Sequence, residues 1–172
     1  MPTGDLIASD QPAADPQAIE RAWHVLDEVM DPEVPVISLT DLGIVREVEW
    51  RAGQLRVVLT PTYSGCPATE HIELSAKSAL TDAGFEQVQI EQQLAPAWTT
   101  DWISERGRER LKAYGIAPPV GSAAKPSFDK IIECPLCGSS NTKEITEFGS
   151  TACKALYQCN DCLEPFDYFK CI

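Results

Sequence analysis

The sequence predicts an α+β protein in which a small mixed sheet, packed with helices, precedes a C-terminal zinc-ribbon module. Within residues 16–114, apolar side chains recur first at helical spacing and then at strand spacing. Residues 115–127 are rich in proline and glycine. Six of the seven cysteines fall in the last 39 residues. We therefore divide the 172-residue chain into a disordered leader (1–15), an α+β domain (16–114), a linker (115–127) and the ribbon (128–172).

The first half of the domain predicts a helix followed by a hairpin. Asp15 is a good N-cap and Pro16 suits the first helical position. Apolar residues at helical spacing continue to Met30, and the DPEVP segment (31–35) then ends the helix, since residues before proline prefer extended backbone. Residues 44–50 and 55–60 predict two strands joined by a turn at 51–54.

The second half of the domain predicts a helix, a strand and a further helix. The second helix is expected to begin at Cys66-Pro67 and to end at Gly84, a typical C-terminal cap. Residues 85–94 predict the third strand, and a helix that begins near Thr100 is expected within 98–114. In the tail, residues 143–148 and 152–158 predict a hairpin, with a third strand at 165–170.

Net charge excludes one class of function. The formal charge is −12, and residues 128–172 carry four lysines against seven acidic residues. Non-specific nucleic-acid binding requires a cationic surface, so we expect no nucleic-acid partner.

No apolar run approaches membrane-spanning length, and the N-terminus does not resemble a secretory signal. Cysteines in a chain without such a signal indicate a reducing compartment. We expect a cytoplasmic protein with no membrane partner.

Two C-x-x-C pairs in the tail predict a metal site. Two thiolates on one tight turn and two on another can complete a tetrahedral shell. The predicted ligands are Cys134, Cys137, Cys159 and Cys162. Structural zinc is the favoured ion, while iron or an iron–sulfur cluster on the same sulfurs, or a metal-free ribbon, remain alternatives. Cys153 and Cys171 are either packing residues or a pair that holds sulfur or a second metal.

Cys66 is the one cysteine outside the tail, in the segment TPTYSGCP (60–67). Placed at a helix start, its thiol would meet free N–H groups and the positive end of the helix dipole, which favour the thiolate. Thr60 and Thr62 could donate hydroxyl hydrogen bonds to a bound ligand, and Asp41 could approach from the other edge. The alternative is a buried structural cysteine. No general base can be assigned to Cys66, so independent catalysis is not expected.

Three motifs together resemble the SufT-like family of iron–sulfur assembly domains. They are DPEVPV (31–36), DLGIV (41–45) and TPTYSGCP (60–67), and the resemblance covers roughly residues 17–105. The further motifs WTTDWI (98–103), YGIAPP (114–119) and FGSTACK (148–154) are similar to the PaaD family. Members of that family are accessory subunits encoded with the phenylacetyl-CoA epoxidase of aerobic phenylacetate breakdown.

The resemblance implies a maturation role, in which Cys66 transiently ligates iron or a cluster and Asp41 occupies the matching D-L-G. The implied partners are the other epoxidase subunits, namely a di-iron oxygenase and an iron–sulfur flavin reductase, or iron–sulfur assembly proteins. Two alternatives stay open: a structural or regulatory subunit of the epoxidase without metal transfer, and a stand-alone enzyme with Cys66 as nucleophile. A homodimer is also left open.

Overall fold

The computed structural model describes residues 16–63, 65–121 and 131–170, and it confirms the α+β class with a second small sheet at the C-terminus. The predicted leader lies outside the described residues. The elements are α1 (Pro16–Asp27), β1 (Val45–Arg51), β2 (Gln54–Leu59), α2 (Thr69–Asp82), β3 (Val88–Gln92), a 3₁₀ turn (Thr100–Trp102), α3 (Glu105–Ala113), β4 (Ile116–Ala117), β5 (Thr142–Thr146), β6 (Lys154–Cys159) and β7 (Pro165–Phe169). Among these helices, none has the length and apolar character needed to cross a bilayer.

The first sheet has the order β1-β2-β3. The β1–β2 pair is an antiparallel hairpin whose turn residues Ala52 and Gly53 have φ of 50° and 80°. Such positive values suit a tight hairpin turn, because its twist matches that of the flanking strands. The β3 strand runs parallel to β2 because α2 carries the chain back across the sheet. Leu26 of α1, Leu80 of α2 and Val57 of β2 are fully buried in one core.

The second sheet has the order β4-β7-β6-β5 and packs against the first unit. Cys153 and Phe169, which lie on this side of the chain, belong to the same buried cluster as the helices of the first unit. The Phe169 ring lies 6.2 Å from the Trp98 ring, centroid to centroid. Residues 116–117, which the sequence assigns to the linker, instead form β4, which pairs in parallel with β7.

Two helix ends differ from the predicted ones. The α1 helix ends at Asp27 because Leu39 N–H donates to the Val29 carbonyl, which draws the following residues into a loop closed by a Met30–Ser38 bridge. The α2 helix begins at Thr69 rather than at Cys66. Residues 66–69 form a separate turn, in which Thr69 N–H donates to the Cys66 carbonyl at 3.2 Å.

Candidate functional site

The four predicted ribbon ligands come together. Their sulfur atoms all lie within 4.8 Å of one another, the Cys134 and Cys162 sulfurs 3.8 Å apart and the Cys137 and Cys159 sulfurs 3.6 Å apart. A tetrahedron of Zn–S bonds has edges of about 3.8 Å, since each bond is about 2.3 Å long. The residues therefore fit a tetrahedral ion, and the chemistry of four thiolates favours zinc or iron.

The two metal-binding turns are tied to each other by hydrogen bonds. The Asp161 carboxylate accepts from Ser139 Oγ at 2.5 Å and from Asn141 Nδ2 at 2.8 Å. The backbone N–H of Cys162, and to a lesser degree that of Asp161, lowers the pKa of Cys159 to about 7. Amides that face a sulfur stabilise its thiolate form, which is the form that binds metal.

Cys66 lies in the turn before α2, and its side chain is partly exposed. Ala68 is the N-cap of α2, so Cys66 precedes the cap by two residues and is not in the first helical turn as the sequence predicts. The loop is held by a hydrogen bond from Cys66 N–H to the Tyr63 carbonyl at 3.3 Å. The N–H groups of the first turn of α2, which would favour a thiolate, therefore belong to residues that follow Cys66 by three or more positions.

A narrow crevice lies beside Cys66, with walls from three parts of the chain. The loop that precedes α2 contributes Pro61, Thr62 and Cys66, and the segment after α1 contributes Asp31, Glu33 and Val34. The ribbon contributes Cys153 and Phe169, and Leu42, Ile44 and Ile72 complete the lining. Cys66 and Cys153 thus line one space, although 87 positions separate them in the sequence.

Burial dominates the electrostatics of this crevice. Desolvation raises the pKa of Asp31, although Asp31 Oδ1 accepts hydrogen bonds from the Val34 and Glu33 N–H groups, both at 2.8 Å. Desolvation also raises the pKa of the Cys153 thiol, and the charge of Glu33 adds to that shift. The pKa of Tyr63 rises to about 12, first because of burial and then because of its interaction with Cys66. Negative charge in this crevice is therefore costly without a nearby cation.

Asp41 is not a neighbour of Cys66 in this crevice, which differs from the arrangement that the sequence suggested. Its side chain is 2% exposed and accepts from Arg106 Nε at 2.9 Å and from Arg110 Nη1 at 3.0 Å. Ser104 Oγ also donates to Asp41, at 2.5 Å. These contacts hold α3 against the loop before β1, so Asp41 anchors structure. Because the two arginines lie one helical turn apart on α3, both can reach the same carboxylate.

The two threonines of the predicted site separate. Thr62 lines the crevice beside Cys66. Thr60 is 1% exposed, its N–H donates to the Ile44 carbonyl at 2.8 Å, and its hydroxyl has no partner among the described residues. Cys153 is the crevice residue that sequence reasoning did not connect with Cys66. Cys171, with which it was paired in one interpretation, lies outside the described residues.

Two family models match separate parts of the chain. Residues 19–91 match the model described as iron–sulfur cluster assembly protein. Residues 119–170 match the model described as the PaaD zinc beta ribbon domain. The four cysteines that meet in the tail lie inside the zinc-ribbon match, and Cys66 lies inside the assembly-protein match.

Two relatives match at the level of sequence. An Escherichia coli protein, named as a "Putative 1,2-phenylacetyl-CoA epoxidase" component, is 51% identical over 157 residues, which cover 91% of this chain and 95% of that protein. The "Fe-S protein maturation auxiliary factor" of Porphyromonas gingivalis is 33% identical over 97 residues, which cover 55% of this chain and 91% of that protein.

The fold of the first unit is shared by a solved domain of unknown function, DUF59, from Bacillus anthracis, with a TM-score of 0.52 and 21% sequence identity. The match covers 55% of this chain and 92% of that one. At this identity the likeness establishes the fold and no activity.

Proposed function

The chain belongs to the PaaD family, and on that premise we propose that it is a maturation subunit of a 1,2-phenylacetyl-CoA epoxidase system. In this role it assists the assembly of iron or an iron–sulfur cluster in the di-iron oxygenase or in its iron–sulfur flavin reductase. Cys66 contacts the iron or cluster transiently, as cargo. The ribbon is the structural part, in which a zinc ion holds the four tail cysteines.

The observation that carries this proposal is the position of Cys66. Its thiol is partly exposed, in a loop of the assembly-protein unit, and it faces a crevice that contains a buried acid, Asp31. Thiolate and carboxylate are both ligands of iron. Asp41, the acid of the predicted site, is engaged by Arg106 and Arg110. The described lining of the crevice contains no histidine that could activate the thiol. These features favour cargo binding over nucleophilic catalysis.

A Cys66→Ser variant tests the proposal. Cells that produce the epoxidase subunits together with this variant are expected to contain reductase with a reduced iron–sulfur content and to have reduced epoxidase activity. The control is Glu70→Gln, an exposed change in the first turn of the neighbouring α2. Both variants are compared with wild type for thermal stability, so that loss of fold is separated from loss of the thiol.

The outcomes separate the competing roles. Unchanged cluster content and activity with Cys66→Ser would contradict the maturation role. If the variant also co-purifies with the epoxidase subunits at the wild-type ratio, the protein is a structural or regulatory subunit. A higher iron–sulfur content of the reductase in cells that produce wild type than in cells that produce Cys66→Ser supports assembly through this sulfur.

A further inference from the structure

The crevice beside Cys66 is formed jointly by the two units of the protein. Cys66 comes from the loop before α2, and Cys153 comes from the turn before β6 in the ribbon. Cys153 is 4% exposed, and its sulfur lies 3.1 Å from Thr151 Oγ1. Lys170 N–H donates to the Cys153 carbonyl at 2.9 Å, which fixes this turn to the end of β7. The ribbon thus holds a second cysteine in a defined place in the lining of the crevice that Cys66 also lines.

The size of the crevice limits what it can hold. The crevice has a cavity volume of about 10 Å³. That is about the volume needed for one water molecule, and so for one ion. A preformed [2Fe–2S] cluster has four core atoms and would require the ribbon to move away. The volume therefore admits a single ion and excludes a preformed cluster.

The charges around the crevice also favour a cation. Asp31 and Glu33 line it together with the two thiols. Lys154 supplies the positive charge that acts on Asp31 and Cys153. Its ammonium group is paired with the Asp167 carboxylate within the ribbon sheet, at 3.2 Å. The described lining therefore contains two carboxyl groups, two thiols and no cationic side chain. A divalent cation would stabilise the carboxylates and would let the thiols bind as thiolates, with their protons released to solvent.

We propose that Cys66 and Cys153 together bind one thiophilic divalent cation, such as Fe²⁺, between the two units, with Asp31 or Glu33 as a carboxylate ligand. This rests on the proposed function and assigns to the ribbon a direct part in holding the cargo. Among the described residues, three or more ligand atoms within 4.8 Å of one another occur only in the ribbon quartet. The crevice ligands stand further apart and must close on the ion, which makes the site weaker and suits release to a client.

The test uses the full chain, reduced and purified without oxygen, with one zinc ion already in the ribbon. Co²⁺ is the spectroscopic probe, because thiolate ligation gives a charge-transfer absorption whose intensity follows the number of sulfur ligands, and Fe²⁺ uptake is measured in parallel by elemental analysis. Wild type is expected to bind a second ion. Cys66→Ser and Cys153→Ser should each weaken this binding by more than about tenfold, since loss of a hydrogen-bond partner behind a ligand alone costs roughly 10–100-fold.

Two further variants control for folding. Ala152→Ser changes the exposed neighbour of Cys153 and should bind the second ion like wild type. Cys153→Ala removes the sulfur without adding a buried hydroxyl and should match Cys153→Ser. The thermal stability and zinc content of each variant show whether the ribbon is intact.

Three results would decide the inference. Failure of wild type to take up a second ion overturns it, as does undiminished charge transfer in both Cys153 variants. In the latter case Cys66 can still act alone, and the proposed function stands or fails on the cluster content of the client in cells. Loss of the second ion in both Cys66 and Cys153 variants, with Ala152→Ser unaffected, supports the two-thiol site.

Discussion

At the scale of single residues, the D-L-G motif serves the docking of the segment that follows β3. Asp41 binds the arginines of α3, and the Leu42 carbonyl accepts from Trp98 Nε1 at 2.9 Å. A buried carboxylate is stable only when it is paired and hydrogen-bonded, which explains the concentration of donors around Asp41. The motif was visible in the sequence, but its partners were not, because they lie more than 50 positions away.

Gly43 is the residue of this motif that tolerates substitution least. It has φ of +71°, and a Cβ there would lie 2.6 Å from Trp102 Cβ. Gly43→Ala is expected to lower the free energy of unfolding by more than the roughly 1–2 kcal/mol that left-handed backbone alone costs. Gly84→Ala is the matched control, since Gly84 has φ of +93° but nothing within 4 Å. Urea unfolding of both variants measures the difference, and equal losses would contradict the steric argument.

The Asp27 carboxyl group is expected to make the free energy of unfolding depend on pH. Hydrogen bonding to Arg106, opposed in part by burial, lowers the pKa of Asp27 from its ordinary value of 3.8. A carboxyl with a lowered folded-state pKa stabilises the fold above its unfolded pKa, and this contribution is lost as the pH falls through the folded pKa. The stability gap between wild type and Asp27→Asn should therefore be largest above about pH 4 and close in stronger acid. A gap that is constant across that range would contradict the assignment.

At the scale of elements, sequence patterns located most helices and strands but misplaced two boundaries and a connection. The α2 start was predicted at Cys66-Pro67, because proline suits a first helical position. A separate turn through residue 69 forms instead. The strand β4 is two residues long, too short for periodicity to reveal, and it forms only because β7 offers an edge. Pairings of this kind depend on distant contacts, which local patterns do not contain.

The contact between the ribbon and the first unit depends on Phe169, which is 1% exposed. Phe169→Ala should lower the free energy of unfolding by about 3–5 kcal/mol, as truncation of a buried aromatic does. It should also change the fluorescence of Trp98, whose ring lies 6.2 Å away. Phe148→Ala is the control, because that ring is 60% exposed. Comparable losses from both variants would contradict docking through Phe169.

At the scale of the whole molecule, the sequence predicted the metal quartet from two local spacings but could not predict the crevice. Each C-x-x-C pair lies within one turn, so its geometry follows from neighbouring residues. The position of Cys153 in the same crevice as Cys66 requires the ribbon to pack on the first unit. That packing depends on the fit of side chains such as Phe169 and Trp98, which share no local pattern.

The zinc ion proposed for the ribbon is therefore expected to maintain the shape of the crevice as well. Few apolar side chains are buried within the ribbon itself, so a structural ion should supply most of the free energy of its folding. Removal of the metal with a chelator is expected to unfold residues 131–170 while α1, α2 and the first sheet persist. Cys66 should then react faster with a thiol reagent, because Cys153 and Phe169 no longer cover it. Hydrogen exchange detected by mass spectrometry, with Cys66 labelling in parallel, measures both effects. Continued protection of β6 and β7 amides in the metal-free protein would show that packing on the first unit alone maintains the ribbon.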